Sequence, residues 1–241
     1  MLKLEFMKLK RSYLILILTL TIILNMIIQF YWGNMTYLGT PYNNRLGWVF
    51  DSALSLSTYY LFAPVFALLG SNMIEKEERY GTLNYLKVIP LQPIKILWVK
   101  FEATFIIAIG YSFLMFVGIA LLEIVPHHNS ITVSFLLTYM FRFVIHGIGS
   151  FLTVCPIIAL SLLLKKGNGL SVILSFIIAF CGVLTASSTI APFYPINAIF
   201  FISGMYNGKA SQFITALFSL AICFLLSILI CLSIHSACCA E

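Results

Sequence analysis

Three ionisable residues, Glu123, Arg142 and His146, stand in or at the edge of long apolar stretches, and they are the first place to look for chemistry. A charge at the centre of a lipid-embedded helix costs on the order of 2.5 to 3.5 kcal/mol on insertion scales, so Arg142 needs a partner or a polar path. His146 follows four residues later on the same helical face, and Glu123 is the expected counter-ion. The patch reads either as the lining of a substrate path or as a structural ion pair whose Arg snorkels outward. Catalytic constellations are missing. Phosphate-loop chemistry needs a Gly-rich turn ending in Lys and Ser or Thr, which this chain lacks. Zinc hydrolysis of the His-Glu-x-x-His type is equally unsupported, because His127 and His128 are adjacent while His146 and His235 stand apart. No catalytic residue, metal ligand or directly bound cofactor is therefore assigned.

A second concentration of charge, Glu75, Lys76, Glu77, Glu78 and Arg79, closes an apolar stretch and precedes Gly81 and Thr82. Membrane proteases of the CAAX-processing type carry two Glu and then, after three intervening residues, Arg. Here Thr82 occupies that place, Arg79 follows the pair directly, and the companion His motifs are absent, so this enzyme reading fails. Cys155, Cys181, Cys223 and Cys231 lie within apolar runs, where thiols behave as small hydrophobes, and Cys238 with Cys239 reads as an unreactive tail pair, with lipidation or redox activity as the alternative. No disulfide framework is implied.

The elements that must position these residues are membrane helices. Hydrophobic residues make up 61% of the chain and charged ones 9%, too little polar surface for a water-soluble globule of 241 residues. In lipid every backbone polar group needs an internal partner, and the apolar stretches are continuous rather than alternating, which favours helices over a barrel. Crossing about 30 Å of hydrocarbon takes roughly 20 residues, and six stretches come near that length. They are residues 12–31, 53–73, 101–122, 133–164, 170–186 and 213–234. The fourth, which contains Gly147, Gly149 and Pro156, is too long for one straight span and is expected to tilt or kink. Pro64 and Pro156 each free a carbonyl one turn earlier, at Tyr60 and Leu152, so kinks are expected there.

Lys and Arg concentrate on one side of this arrangement, before the first span, between the second and third, and between the fourth and fifth. The positive-inside rule then predicts both termini on the cytoplasmic side of a plasma membrane, with a bacterial source expected. The net charge of +6 is spread over these short loops, which argues for topology signals and against nucleic acid as a partner. Residues 1–241 form a single transmembrane domain, all-α and polytopic, with no connection long enough for a soluble unit.

The joints carry the remaining information. Leu2, Phe6, Leu9 and Tyr13 recur at helical spacing beside Lys3, Lys8, Lys10 and Arg11, which predicts an N-terminal interfacial helix lying among lipid headgroups. In the long inner loop Gly81 ends the charged extension of the second span and Thr82 caps a short helix carrying Leu83, Leu86 and Ile89, stopped by Pro90 and Pro93. Ile94, Leu97, Trp98 and Phe101 then begin a helix that feeds into the third span. Residues 187–212 are hydrophobic yet broken by Pro192, Pro195, Asn197, Gly204 and Gly208, which predicts a short re-entrant or interfacial helix between spans five and six. Residues 32–51 read as an ordinary exposed connection.

The inner loop resembles the cytoplasmic signature of type-2 ABC transporter permeases, the ABC-2 family. Its parts are Glu75, Glu77, Glu78, Gly81, Thr82, Leu83, Leu86, Pro90 and Lys100, with Asn84 where many members carry an acidic residue. The opening Glu5-Phe-Met-Lys-Leu-Lys-Arg-Ser12 is similar to permeases of bacitracin-resistance and lantibiotic-immunity transporters. The resemblance implies a pair of permease subunits, identical or different, with ABC ATPase subunits docked beneath a cytoplasmic coupling helix at residues 82–89. ATP and Mg would be bound by that partner and not by this chain. It further implies ATP-driven export of a membrane-active or amphipathic peptide, with a small hydrophobic drug or lipid as the alternative. A membrane scaffold or sensor without an ATPase is the reading outside transport.

Overall fold

The computed structural model describes residues 13–37, 39–79, 93–128, 130–164, 168–206 and 208–239. Continuous apolar sequence forms α1 (Leu14–Asn34), and a short antiparallel ribbon of β1 (Thr36–Tyr37) and β2 (Thr40–Pro41) follows it. The chain then descends through α2 (Trp48–Leu56), a π-helical turn (Ser57–Phe62) and α3 (Ala63–Arg79). It returns in α4 (Pro93–His127), descends in α5 (Val133–Leu164) and rises in α6 (Asn168–Thr185). A 3-10 turn (Ala191–Phe193) and the short α7 (Pro195–Ile202) lead to the last long helix, α8 (Ala210–Cys239). The ribbon, residues 130–132 and residues 186–206 lie at one end of the bundle, the upper end.

Among the described residues five helices are long and apolar enough to cross a membrane, Leu14–Asn34, Trp48–Glu75, Trp98–His127, Val133–Leu160 and Ala210–Ser233. The expected fifth span, α6, has 18 residues and is apolar but shorter, about 27 Å at 1.5 Å per residue. Six spans are expected from the sequence; the described residues contain five such helices, and α6 is a shorter apolar helix. The expected N-terminal interfacial helix and coupling helix fall on residues 1–12 and 80–92, outside the described residues.

Burial sorts the bundle into centre and rim. In the most apolar windows of α2–α3 and of α5, 67% of residues are buried, against 17% in α1 and 22% in α8. The rim helices turn Leu16, Leu20, Ile23, Phe218, Leu225 and Leu229 outward, a surface that water would penalise and hydrocarbon accepts. At the centre Phe50 stacks on Tyr139 at 4.6 Å and on Phe116 at 5.8 Å, with Phe143 edge-on at 6.4 Å.

Residues 32–51 are not the simple exposed connection that their Asn and Gly content suggests. Trp48, Val49 and Phe50 are apolar enough to draw the chain into the core, so α2 starts inside that segment. Gly47 makes the entry at φ +85°, a left-handed conformation that costs glycine little.

Pro64 cannot donate to Tyr60, and a π turn lies just before it, so the helix continues past the proline on a re-registered backbone. α5 continues as a helix through Pro156.

Close crossings rest on small residues. A Cβ added at Gly70 would lie 2.5 Å from Cδ1, 2.9 Å from Cγ1 and 3.0 Å from Cγ2 of Ile158, so α3 and α5 meet backbone to side chain. Both branches of the Ile are engaged, and rotating it cannot relieve the clash. Gly70→Ala is expected to destabilise the protein by about 1 to 3 kcal/mol, read as a lower thermal midpoint in detergent. Adding Ile158→Ala should recover part of that loss, and a strictly additive double variant would refute this contact as the cause.

Candidate functional site

Three consecutive residues of the π turn send hydrogen bonds to three different helices. Ser57 Oγ accepts from Asn25 Nδ2 of α1 at 2.8 Å. Thr58 Oγ1 lies 2.7 Å from His146 Nδ1 of α5, and Tyr59 Oη donates to Asn197 Oδ1 of α7 at 2.7 Å. A π turn projects side chains over a wider arc than an α turn, and it leaves backbone carbonyls for hydroxyls to use. Ser57 and Thr58 accordingly also donate to the carbonyls of Ala53 and Leu54. All of Asn25, Ser57, Thr58, His146 and Asn197 are buried.

The proton positions follow from these contacts. Thr58 spends its hydroxyl hydrogen on Leu54, so its oxygen accepts from His146, which places the imidazole proton on Nδ1. Nε2 lies 2.9 Å from Ser203 Oγ at the end of α7, a hydroxyl that also donates to the Phe200 carbonyl at 3.2 Å. The ring packs edge-on against Phe200 at 4.7 Å. His146 thereby bridges α5, the π turn and the upper loop. His146→Leu would leave the Ser203 and Thr58 oxygens a partner short, and a loss of about 1 to 3 kcal/mol is expected. Chemical denaturation in detergent checks this, with His146→Gln, which can restore one bond, expected to fall between the two.

Glu123, Arg142 and His146 do not form a single patch. Arg142 reaches Asp51 Oδ1 at 3.9 Å and the Gly204 carbonyl at 3.5 Å, and it lies over the Tyr139 ring at 5.0 Å. Its acidic partner is Asp51, in the first turn of α2, and not the expected Glu123. Tyr139 Oη donates to the same Asp51 oxygen at 2.9 Å, which fixes the carboxylate between phenol and guanidinium. Glu123 instead caps the entry to α2, its Oε1 accepting from Gly47 N at 2.6 Å with His127 Nδ1 at 3.6 Å. The arrangement makes Arg142 a structural clamp on the upper loops, and its Asp51 partner is too exposed for the pair to add much stability.

Asn25, Asp51 and Thr58 were not singled out by sequence, and Asn197 only as an interruption of an apolar stretch. A usable signal existed for the first. Thr21, Asn25, Gln29 and Gly33 recur every four residues along α1, a small and polar stripe on an otherwise apolar helix. Thr21 Oγ1 meets Tyr111 Oη of α4 at 2.7 Å, and Gln29 Nε2 donates to Asn25 Oδ1 at 3.3 Å.

Of the inner-loop signature, Lys100 and Glu75 are the members whose side chains are described. Lys100 is buried on α4 and donates through Nζ to the Met73 carbonyl of α3 at 2.9 Å, which ties the lower ends of these helices together. Glu75 is half-buried in α3. Glu77 and Glu78 lie in the last turn of α3, while Gly81, Thr82, Leu83, Leu86 and Pro90 fall outside the described residues. Among the described residues no cluster of three or more His, Cys, Asp or Glu has the arrangement of a metal site.

A helical bundle with lipid-facing rim helices and a buried polar hub is the architecture of a multi-pass membrane protein. A family model described as "ABC-2 family transporter protein" matches residues 1–182, and the chain belongs to that family. It is accordingly a transport permease component that is not itself catalytic, the ATPase being a separate subunit. Neither the comparison with curated proteins nor that with solved structures gave a match.

Proposed function

We propose that this chain is the permease subunit of an ATP-driven exporter and forms half of a translocation pathway with a second permease subunit. The family match over residues 1–182 carries this reading. In it α6 completes six spans, both termini lie in the cytoplasm of a bacterial plasma membrane, and the upper end faces outward. The one-sided distribution of Lys and Arg supports that orientation. The 3-10 turn and α7 are the outer re-entrant helices of the arrangement. Their support is that Ile196, Asn197, Ala198, Ile199 and Phe200 are all buried, so protein covers the backbone that lipid could not satisfy.

Coupling runs through the lower end. The ATPase docks on residues 75–90, with Glu75, Glu77 and Glu78 meeting its surface, Leu83 and Leu86 packing, and Gly81, Thr82 and Pro90 delimiting a coupling helix. ATPase closure moves that helix and, through the Lys100 tie between α3 and α4, the bundle above it. The π turn is the bistable element, because it joins α1, α5 and α7 to the same helix that carries the coupling joint. The substrate is an amphipathic, membrane-active peptide, and the role is resistance or immunity.

Copurification of the full chain from its native membrane tests the reading. An ATP-hydrolysing subunit should accompany it, and hydrolysis by the complex in liposomes should rise when amphipathic peptide is added. Recovery of the chain without any ATPase, at a yield where stoichiometric partners would be visible, would sink it.

A further inference from the structure

At the upper end of α4 two buried polar atoms lack what their chemistry calls for. Glu123, none of which is exposed, uses Oε1 to accept from the Gly47 amide at 2.6 Å, and its Oε2 makes no hydrogen bond. His127, one turn on and in the last turn of α4, brings Nδ1 to 3.6 Å from Glu123 Oε1. That separation is too long for a hydrogen bond, and Nδ1 has no other partner among the described residues. The second ring nitrogen, Nε2, lies 3.4 Å from the Asn44 carbonyl. A carbonyl can only accept, so Nε2 carries hydrogen in that contact, and a neutral ring then turns a bare lone pair toward the carboxylate. The opposite tautomer would serve Glu123 and lose Asn44. One additional proton serves both.

Little else can fill the gap. Neither orphan atom is reached by a water-sized sphere, and among the described residues no third Asp, Glu, His or Cys joins the two as a metal would require. A proton needs no such space. It belongs to the pair, as imidazolium beside carboxylate or as carboxylic acid beside imidazole, and in either form one N–H or O–H lies between the two groups. The C-terminal end of a helix, where carbonyl dipoles favour positive charge, strengthens the hold. From the surrounding elements, Asp51 of α2 and Tyr139 of α5 lie near enough to act on Glu123, and the Val49 amide adds its dipole. Arg142 of α5 is engaged with Asp51, Arg45 belongs to the loop itself, and His128 is exposed. α1 carries no charged residue, its one titratable group being the exposed Tyr31.

We infer that Glu123 and His127 form a proton-operated latch, in which one proton shared between them closes the end of α4 onto residues 44–47. Its loss takes away one of the two His127 contacts and leaves lone pairs opposed in a buried site. The latched form binds the proton more tightly than a form in which residues 44–47 have lifted and the ring faces water. Closure therefore strengthens as pH falls and weakens as pH rises, over the range of about pH 5 to 8 in which imidazoles change charge. Gly47 is the entry to α2, and Asp51 in the first turn of that helix holds Arg142, so the latch sets how firmly the upper loops are pinned. It is a property of this fold and stands with or without the exporter reading.

Hydrogen exchange of the full chain in phosphatidylcholine nanodiscs tests the latch, read by mass spectrometry on peptides covering residues 42–50 and corrected for the intrinsic pH dependence of exchange. Between pH 8 and pH 6 protection of that segment should rise about tenfold, while peptides from the middle of α5 stay unchanged. His127→Gln, whose amide donates at every pH, and Glu123→Gln, which keeps an acceptor for Gly47 but no charge, should both flatten the profile. His128→Gln should leave it as in the parent. A residue that only packs would, when replaced, lower protection equally at all pH values and keep the slope. His127 is partly exposed at the helix end, so His127→Gln carries the test if Glu123→Gln does not fold. A flat parent profile, a slope that survives His127→Gln or Glu123→Gln, or a slope lost with His128→Gln would overturn the proposal.

Discussion

Replacing Asn197 with Leu is expected to destabilise the bundle by about 3 kcal/mol, the largest loss of stability for any single polar side chain at the hub. Asn197 is fully buried and makes three hydrogen bonds to two other elements. Its Oδ1 accepts from Tyr59 at 2.7 Å, and its Nδ2 donates to the Gly182 carbonyl and to Thr185 Oγ1, both at 2.9 Å. Gly182 and Thr185 belong to the last turn of α6, whose carbonyls have no further helical N–H to accept. The Asn side chain therefore caps α6 from the outside and ties that cap to the π turn through Tyr59. Leu has a similar volume, so packing is nearly conserved while the Gly182 carbonyl and Tyr59 hydroxyl each lose a buried partner. Tyr59 keeps only the longer contact to Tyr206 at 3.3 Å.

For a chain of this size the loss corresponds to a thermal midpoint lower by roughly 6 to 12 °C, measured in one fixed detergent. Tyr59→Phe removes one of the three bonds and should cost about 1 kcal/mol. In the double variant the two effects should overlap, because the Tyr59 bond can be lost only once. A midpoint for Asn197→Leu within a degree of the parent would show that water or a shifted backbone replaces the amide, and that the hub is not what holds α7.

Asn197 also marks the boundary of what sequence alone reveals. Residues 187–212 could be read as broken and partly helical, because Pro and Gly punctuate apolar residues and each has a local backbone consequence. The long helix Val133–Leu164 and the continuous run from Pro93 into the third span were legible for the same reason, since both are stretches of uninterrupted local preference. The partner of Asn197 is Tyr59, far away in the chain, and that contact depends on the rotation of two helices about their own axes. Nothing in local spacing encodes it. Arg142 gives the same lesson with a wrong expectation attached. Spacing correctly put Arg142 and His146 on neighbouring turns of one helix, but choosing between Glu123 and Asp51 needed the depth at which α2 enters the bundle. That depth is set by Gly47 and the burial of Phe50. At Pro64 the chemistry was legible and the response was not: a missing N–H permits either a bend or a widened turn, and the three hydroxyl residues Ser57, Thr58 and Tyr59 give the widened turn its partners.

Leu86→Asp is expected to separate ATP hydrolysis from transport, with the largest effect on activity of any change considered. Leu86 lies outside the described residues, and the expectation rests on the sequence around it and on the frame that holds it. Leu83 and Leu86 fall one helical turn apart, between Gly81 and Pro90, and a short helix with that spacing offers a narrow apolar ridge to a partner. The frame is the end of α3 at Arg79 and the start of α4 at Pro93, joined above by Lys100. A push on the joint therefore has two rigid helices to act on. A carboxylate in the centre of the ridge must be desolvated without a counter-charge, which costs about 2 to 4 kcal/mol of docking, or a loss of coupling on the order of 30-fold to several hundred-fold. The bundle should melt as the parent does if the proposed docking is correct, since the substitution then acts on the partner contact alone. Basal hydrolysis by the ATPase subunit should persist, while stimulation by substrate and uptake into inverted vesicles should vanish. Leu86→Ile, which keeps the apolar ridge, should transport normally. The pair of variants separates two mechanical schemes that share one fold. If the loop only joins two spans, both variants transport alike; if it is the lever, charge at position 86 disconnects it while shape alone does not.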